Sequence, residues 1–312
     1  MAGPPDDTPY GARLRSFVQA ERPAGLVVLG SGSIPLATDA DRRAFVAVAG
    51  GGRRDGLTNN WYSSDIVAVG RAGDLADLPD LPADNAVPRW LAEVAGFAVG
   101  VRGRTRLGFD LDDPLDLILA EKRLRLAAAP PPGVDLGPLR ERLDQARDVA
   151  ADASAEIIVA GRTSPAVLRW LERAAAARVR ALVEERGLRS ASAGGNRRPP
   201  RSVLGRLIDR EGPDALGELL SEFGDAAFVD SRVLMAHRYG VDDRAWPRPE
   251  DRYASDLLLP DRVSHPWLRA LTVSAASAPI PVILGGHSLV GPGLRLAVGP
   301  RRRPQRRRRG EA

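Results

Sequence analysis

The sequence predicts a mixed α/β protein made of two units. Short apolar runs typical of strands alternate with amphipathic helical segments along the chain. The length of 312 residues suits two ordinary domains. An Ala/Pro-rich stretch at 127–132 separates two series of such elements. We therefore expect disordered ends at 1–10 and 300–312, a first domain at 11–126, a linker with a helix at 127–150, and a second α/β domain at 151–299.

The elements of the first domain follow from hydrophobic periodicity and from turn residues. Leu14, Phe17 and Val18 share one helical face, and Thr38 is a good N-cap for a helix that glycines at 50–52 end. An apolar run at 25–30 predicts a buried strand. In order, we expect a helix at 11–20, a strand at 25–30, a helix at 39–49, a strand at 61–69, a helix at 87–95, strands at 98–101 and 107–111, and a helix at 116–126.

The second domain shows the same alternation. Ser164 followed by Pro165 is the residue order expected where a helix begins. Apolar runs predict strands at 156–160, 178–184, 226–229 and 281–284. Helices are expected at 136–151, 165–176, 202–208, 213–223, 251–258 and 266–276.

Composition excludes several classes of protein. No apolar run approaches the ~18 residues of a membrane span, and the N-terminus lacks the basic start and apolar region of a secretory signal. The absence of cysteine excludes disulfides, thiolate metal sites and cysteine nucleophiles. These features fit a cytoplasmic protein.

The net charge of +5 comes from the C-terminus. Residues 301–312 carry seven arginines and one glutamate, and the remaining 38 basic and 39 acidic residues leave a net charge of −1. A tail of this kind can contact nucleic acid or an anionic surface. Because it is isolated from any basic fold surface, we expect a solubilising end rather than a nucleic-acid contact.

A glycine-rich turn follows the first predicted strand. In Gly30-Ser31-Gly32-Ser33, backbone amides could approach a phosphate group. The spacing fits neither a P-loop nor a dinucleotide fingerprint, so a tight strand-to-helix turn is the alternative.

Two segments together resemble a known family. They read Val27-Val28-Leu29-Gly30-Ser31-Gly32-Ser33-Ile34-Pro35-Leu36-Ala37-Thr38 and Phe109-Asp110-Leu111-Asp112-Asp113-Pro114-Leu115-Asp116-Leu117. They are similar, in sequence, order and separation, to the "Asp-x-Pro-Leu-x-Thr" and "Asp-Ile-Asp-Thr-Pro-Glu-Asp-Leu" segments of GT-A-like nucleotidyltransferases. Examples are the molybdenum-cofactor nucleotidyltransferases and phospholactate guanylyltransferases. The resemblance covers about residues 25–119. It implies a GT-A-like, Rossmann-like three-layer sandwich that lacks the family's N-terminal strand and Gly-rich loop.

The resemblance implies a chemistry. Members of this family use carboxylates at the ends of the two strands to hold Mg²⁺, while an acceptor attacks the α-phosphorus of a nucleoside triphosphate. Carried over, Asp110 is the retained metal ligand and catalytic candidate, and Asp112 supports it. The family's first metal aspartate falls on Ser33, which has no charge, and Asp116 is expected to cap the helix.

Further polar groups could bind substrate. In Asn59-Asn60-Trp61-Tyr62-Ser63-Ser64-Asp65, Asn59 and Asn60 either contact a base or acceptor or form a turn. In Gly161-Arg162-Thr163-Ser164-Pro165, Arg162, Thr163 and Ser164 converge on a helix start, which suits phosphate; an ordinary N-cap is the alternative.

Histidine offers one further candidate. His287 follows the last predicted strand and could form an acid–base pair with Asp230, although histidines of unknown geometry are more often structural or exposed. The histidine spacing does not suit zinc.

Three functions remain open. The first is an Mg²⁺-dependent nucleotidyltransferase that uses a nucleoside triphosphate and a small phosphorylated or carboxylated acceptor. The second is a non-catalytic binding or regulatory protein. The third is an enzyme for a phosphorylated metabolite whose site, in the second domain, uses Arg162, Ser164, Asp230 and His287.

Overall fold

The structure, a computed structural model, describes residues 8–81, 84–126, 130, 132–185 and 200–299. It confirms the mixed α/β class, since the chain forms two compact units that each contain a four-stranded sheet. In the described part of the chain, the first unit ends at Leu111 and the second begins at Asp112. The predicted arginine tail and most of the predicted N-terminal disordered segment lie outside the described residues.

The first unit contains a mixed sheet. Its strands β1 and β2 run antiparallel to β3, and β2 runs parallel to β4, in the order β1-β3-β2-β4. Its elements in chain order are α1 (Tyr10–Glu21), β1 (Leu26–Leu29), α2 (Asp39–Ala49), β2 (Asp55–Thr58), β3 (Ile66–Val69), α3 (Val87–Glu93) and β4 (Ala98–Val101).

Helices cover both faces of this sheet. Along β3, Val67 and Val69 belong to an apolar cluster with α1 and α3, whereas Ile66 and Ala68 pack in a second cluster with Phe45 of α2. Because successive strand residues point to opposite faces, the first unit has three layers.

The first unit differs from the prediction at several elements. The predicted strand at 61–69 begins only at Ile66, and the strand β2 was expected to be a loop. The predicted strand at 107–111 is absent: Thr105–Gly108 forms a 3-10 helix, and only Asp110 makes a single bridge, to Ser33. β1 is an edge strand and is partly exposed rather than buried, because its one neighbour is β3.

The second unit contains an all-parallel sheet in the order β6-β5-β7-β8. Its strands are β5 (Glu156–Gly161), β6 (Arg178–Val183), β7 (Ala226–Asp230) and β8 (Val282–Gly285). Its helices are α4 (Pro114–Leu124), α5 (Gly137–Ala151), α6 (Pro165–Ala174), α7 (Val203–Glu211), α8 (Leu216–Ser221), α9 (Ser231–Tyr239), α10 (Pro249–Asp256), α11 (Pro266–Ser277), α12 (His287–Val290) and α13 (Leu294–Val298).

The boundary between the units lies earlier than predicted. Leu115 and Leu119 of α4 and Leu139 and Leu143 of α5 pack in the same apolar cluster as β5, β7 and β8. Both helices therefore belong to the second unit, and the boundary follows Leu111 rather than residue 126.

Helix α9 was not predicted. Residues 231–237 are all buried, so most of this helix lies inside the second unit, and only its last turn, at Arg238 and Tyr239, reaches the surface. Among the described residues, none of the helices has both the length and the apolar character needed to span a bilayer.

Candidate functional site

The strand order of the second unit identifies a candidate site. From β5 the chain crosses to β6 on one side, and from β7 it crosses to β8 on the other. In open parallel sheets, ligands bind outside the carboxyl ends of the strands at such a switch point. Here the strand ends are Gly161 and Asp230, with Gly285 at the end of the neighbouring β8.

Gly161 allows the two strand ends to approach closely. Its φ is +132°, and a Cβ atom added there would lie 2.3 Å from the Cβ of Asp230. A side chain at this position would therefore clash with Asp230 in a backbone conformation that L-residues rarely adopt.

Asp230 holds the side chain of Arg162. Arg162 donates from Nε to Oδ2 at 2.6 Å and from Nη2 to Oδ1 at 3.2 Å, and the backbone N–H of Arg232 donates to Oδ1 at 3.1 Å. Burial opposes ionisation of Asp230, but Arg162 first, and then His287 and Arg232, hold the pKa of this carboxyl below its ordinary value. Asp230 is thus an ionised group that orients Arg162, and its acid–base pairing with His287, whose charge acts on this carboxyl, stays a prediction.

The outer edge of Arg162 remains available. Asp230 occupies the Nε and Nη2 atoms, and Nη1 has no hydrogen-bond partner among the described residues. The Arg162 side chain is 14% exposed. A guanidinium fixed on one edge in this way can offer its second edge to a carboxylate or phosphate.

The start of α6 lies next to Arg162 in the chain. Ser164 caps this helix, because its Oγ accepts from the backbone N–H of Val167 at 3.3 Å, as the N-cap alternative predicts. Thr163 is buried, and its Oγ1 has no partner within the described ranges. A buried hydroxyl without a partner costs free energy unless a ligand or water satisfies it.

A second cluster of charged side chains lies next to Asp230, whose Oδ1 accepts from the backbone N–H of Arg232. Arg232 donates from Nη1 and Nη2 to the two carboxylate oxygens of Asp256, both at 2.6 Å, and its Nη2 lies 3.5 Å from Oδ2 of Asp113. Arg232 and Asp256 are almost fully buried. Burial raises the pKa of Asp256 to about 7 in spite of Arg232, and Asp113 adds to this rise.

Asp113 and Asp116 form the capping box of α4. Asp113 accepts from the backbone N–H of Asp116 at 3.1 Å, and Asp116 accepts from those of Asp112 and Asp113 at 3.0 and 3.2 Å. Burial first, and then the charge of Asp113, raise the pKa of Asp116 to about 9. The capping role predicted for Asp116 is confirmed, and this carboxyl carries its proton at neutral pH.

His287 and Asp112 lie at the surface of the site. Nδ1 of His287 is 4.0 Å from Oδ2 of Asp112, and the two side chains are 36% and 62% exposed. Protonated His287 would therefore form an ion pair with Asp112. The structure thus brings His287 together with a carboxylate from the start of α4, a partner that the sequence did not predict.

In the first unit, the segments that carry the family resemblance meet. Ser33 and Asp110 form an antiparallel bridge, and Oδ1 of Asp110 accepts from the backbone N–H of Ile34 at 3.4 Å. Within Gly30-Ser31-Gly32-Ser33, the Gly30 and Ser33 amides donate to Asp65 and Gly30 carbonyls. These two amides therefore serve the turn, as the tight-turn alternative predicts.

Asn59 and Asn60 have structural roles. The Nδ2 of Asn59 donates to Asp65 Oδ2 and the Leu107 carbonyl, both at 2.7 Å, and its Oδ1 accepts from the Asp65 amide at 3.0 Å. Asn60 Oδ1 accepts from the amides of residues 62 and 63, which makes an Asx turn. These bonds use both Nδ2 hydrogens of Asn59, as the turn alternative expects, while a contact of Asn60 to a base or acceptor stays a prediction.

One charged group of the first unit was not anticipated. Asp41 is fully buried and accepts from Arg102 at 2.7 Å and from Arg106 at 2.7 and 2.8 Å. Burial opposes ionisation, but Arg106, Thr38 and Arg102 hold the pKa of Asp41 well below its ordinary value. The sequence did not single out Asp41, because the two arginines that pair with it follow about 60 residues later in the chain.

The magnesium ligands Asp110 and Asp112 stay a prediction. Within the part of the chain that the structure describes, no group of three or more Asp, Glu or His side chains is arranged to hold a metal ion. Mg²⁺ is commonly held by one or two carboxylates together with substrate phosphates, so a larger group of protein ligands is not required.

Comparison with known proteins adds no family assignment, since no protein-family model, curated protein or solved structure matches the chain significantly.

Proposed function

We propose that the second unit binds and acts on a small metabolite that carries a phosphate or carboxylate group, at the carboxyl edge of its parallel sheet. The observation that supports this proposal is the geometry of Arg162. Asp230 fixes one edge of its guanidinium, and the partly exposed second edge has no partner among the described residues.

The neighbouring groups favour an anion at the same place. The start of α6 contributes partly positive backbone N–H groups, and Thr163 contributes a buried hydroxyl without a described partner. The ligand's anionic group would accept from Nη1 of Arg162, while Asp230 keeps the guanidinium oriented. His287, with Asp112 at 4.0 Å, would exchange a proton with the reacting part of the ligand.

Calorimetric titration with inorganic phosphate and with malonate tests the binding step. We expect Arg162→Gln to weaken binding at least tenfold, because a charge-assisted hydrogen bond contributes about 1.5–3 kcal/mol. Arg169→Gln is the matched control, since Arg169 is an exposed arginine of α6. Equal affinities for the wild type and for Arg162→Gln would contradict the proposal.

The catalytic step needs a separate measurement. Phosphorylated metabolites that bind can be followed by NMR for turnover. We expect His287→Gln to keep the affinity for such a ligand and to lose its conversion. If no bound compound is converted, the unit is a binding module, and the non-catalytic alternative replaces the enzyme.

A second candidate function concerns the first unit. The prediction that the first unit is a GT-A-like nucleotidyltransferase draws support from the Ser33–Asp110 bridge, because this bridge joins the two segments that resemble that family. Ser33 stands at the position of the family's first metal aspartate, and the bridge places it beside Asp110.

A thermal-shift assay tests this second candidate. A nucleoside triphosphate with Mg²⁺ should raise the melting temperature, and Asp110→Asn should remove the rise. Ser33→Asp would restore the family's first metal aspartate and should increase the rise. No shift with any nucleoside triphosphate, in the wild type or in Ser33→Asp, would eliminate this function for the first unit.

A further inference from the structure

The second unit also contains a strongly cationic cavity, apart from the site at Arg162. It has a volume of about 320 Å³ and lies among α4, α5 and α13. Its walls carry five cationic side chains: Lys122, Arg123, Arg140, Arg147 and Arg295. None of these residues belongs to the site at the carboxyl edge of the sheet.

The acidic side chains of this cavity are already paired. Glu121 accepts both guanidinium hydrogen bonds of Arg140, at 2.7 and 2.9 Å, and Asp144 pairs with Arg147. Among the described residues these are the two carboxylates that line the cavity, so its described lining has an excess of three positive charges. Lys122 and Arg123 make no ion pair to any described residue and stand at the C-terminal end of α4.

Arg295 carries the least compensated of these charges. Its guanidinium lies over the ring of Trp170 at 5.1 Å, and its Nε is buried without a partner in the described part of the chain. Burial first, and then the nearby Arg173, lower the pKa of Arg295. Arg295 is partly buried, and its nearest charged neighbour is another cation, so its charge has no described counter-charge.

We infer that this cavity is a binding site for a pyrophosphate group, supplied either as free pyrophosphate or as the polyphosphate of a nucleotide. Three uncompensated cations around one small cavity match the two to three negative charges of such a group. Guanidinium groups bind phosphate oxygens in pairs, and a lysine binds them as a point charge. The proposal is independent of the site at Arg162.

Isothermal titration in the Arg162→Gln background isolates this cavity from the other site. Pyrophosphate and ADP are titrated into the full chain, and sulfate at matched ionic strength serves as the control for non-specific screening. We expect one pyrophosphate per chain. ADP binding with an affinity similar to that of pyrophosphate would identify a nucleotide as the source, and much weaker ADP binding would identify free pyrophosphate.

Two variants locate the binding. Lys122→Gln and Arg295→Gln should each weaken pyrophosphate binding about tenfold or more, and Arg169→Gln on α6 should leave it unchanged. Lys122 is exposed, so its substitution should leave the fold intact even if Arg295→Gln destabilises it. The inference is overturned if no pyrophosphate binds, if sulfate binds equally well, or if Lys122→Gln binds as tightly as its parent.

Discussion

The Arg232→Met variant tests how strongly the buried ion cluster of the second unit contributes to stability. Asp256 is fully buried, and Arg232 holds both of its carboxylate oxygens at 2.6 Å. Methionine keeps much of the apolar stem of arginine but supplies no donor. Because removing one partner of a buried pair leaves an uncompensated charge, we expect a loss of about 3–5 kcal/mol in the free energy of unfolding at alkaline pH, where Asp256 is ionised in the wild type.

Hydrogen exchange of the β7 amides measures this loss within the second unit. The double variant Arg232→Met/Asp256→Leu should recover most of it, because the pair is then replaced by apolar groups. Arg244→Met is the control: Arg244 and Asp242 form an exposed pair at 3.7 Å, which should contribute at most about 1 kcal/mol.

The pH dependence of the loss gives an additional check. Without Arg232, the folded-state pKa of Asp256 should rise further above the value of about 7 that burial already produces. A carboxyl whose pKa is higher in the folded than in the unfolded state stabilises the native state fully at pH values below its unfolded-state pKa. This stabilisation is lost as the pH rises through the folded-state pKa. The destabilisation should therefore be small near pH 4 and largest at alkaline pH. A loss at alkaline pH no greater than that of Arg244→Met would refute this prediction.

Three further predictions concern single positions. Because burial raises the pKa of Asp116 from 3.8 to about 9, stability should fall as the pH rises from about 4 through about 9. Urea unfolding at several pH values should show a smaller fall for Asp116→Asn, with the remaining fall coming from the other buried carboxyls with raised pKa values, Asp113 and Asp256. Gly161→Ala should cost at least about 2 kcal/mol, because its φ is +132° and the new Cβ would clash with Asp230. Gly73→Ala, where a Cβ meets nothing within 4 Å, should lie within about 0.5 kcal/mol of the wild type in the same denaturation. Asn59→Ala should lower the stability of the first unit by about 1–3 kcal/mol in thermal unfolding, because it leaves buried partners unsatisfied; an unchanged melting temperature would contradict its structural role.

Local signals predicted most of the second unit. The strand β5 and the helix α6 lie where the apolar run and the Ser164-Pro165 pair indicate, because these signals act within a few residues. The prediction was wrong where the local signal was absent, as in the largely buried α9, or where it was misleading, as at residues 107–111. There an apolar run alternating with carboxylates resembles a strand, but residues 107 and 108 end a 3-10 helix and only Asp110 makes a single bridge.

The sequence by itself determined the α/β class, the positions of most helices and the capping roles of Thr38, Ser164 and Asp116. These features depend on side-chain periodicity and on hydrogen bonds between residues three positions apart. Only the tertiary structure decided which of the candidate residues meet. Arg162 contacts Asp230 across 68 residues, and Asp41 holds Arg102 across 61. Such pairs depend on strand order, which the packing of an entire core selects and which no local pattern records.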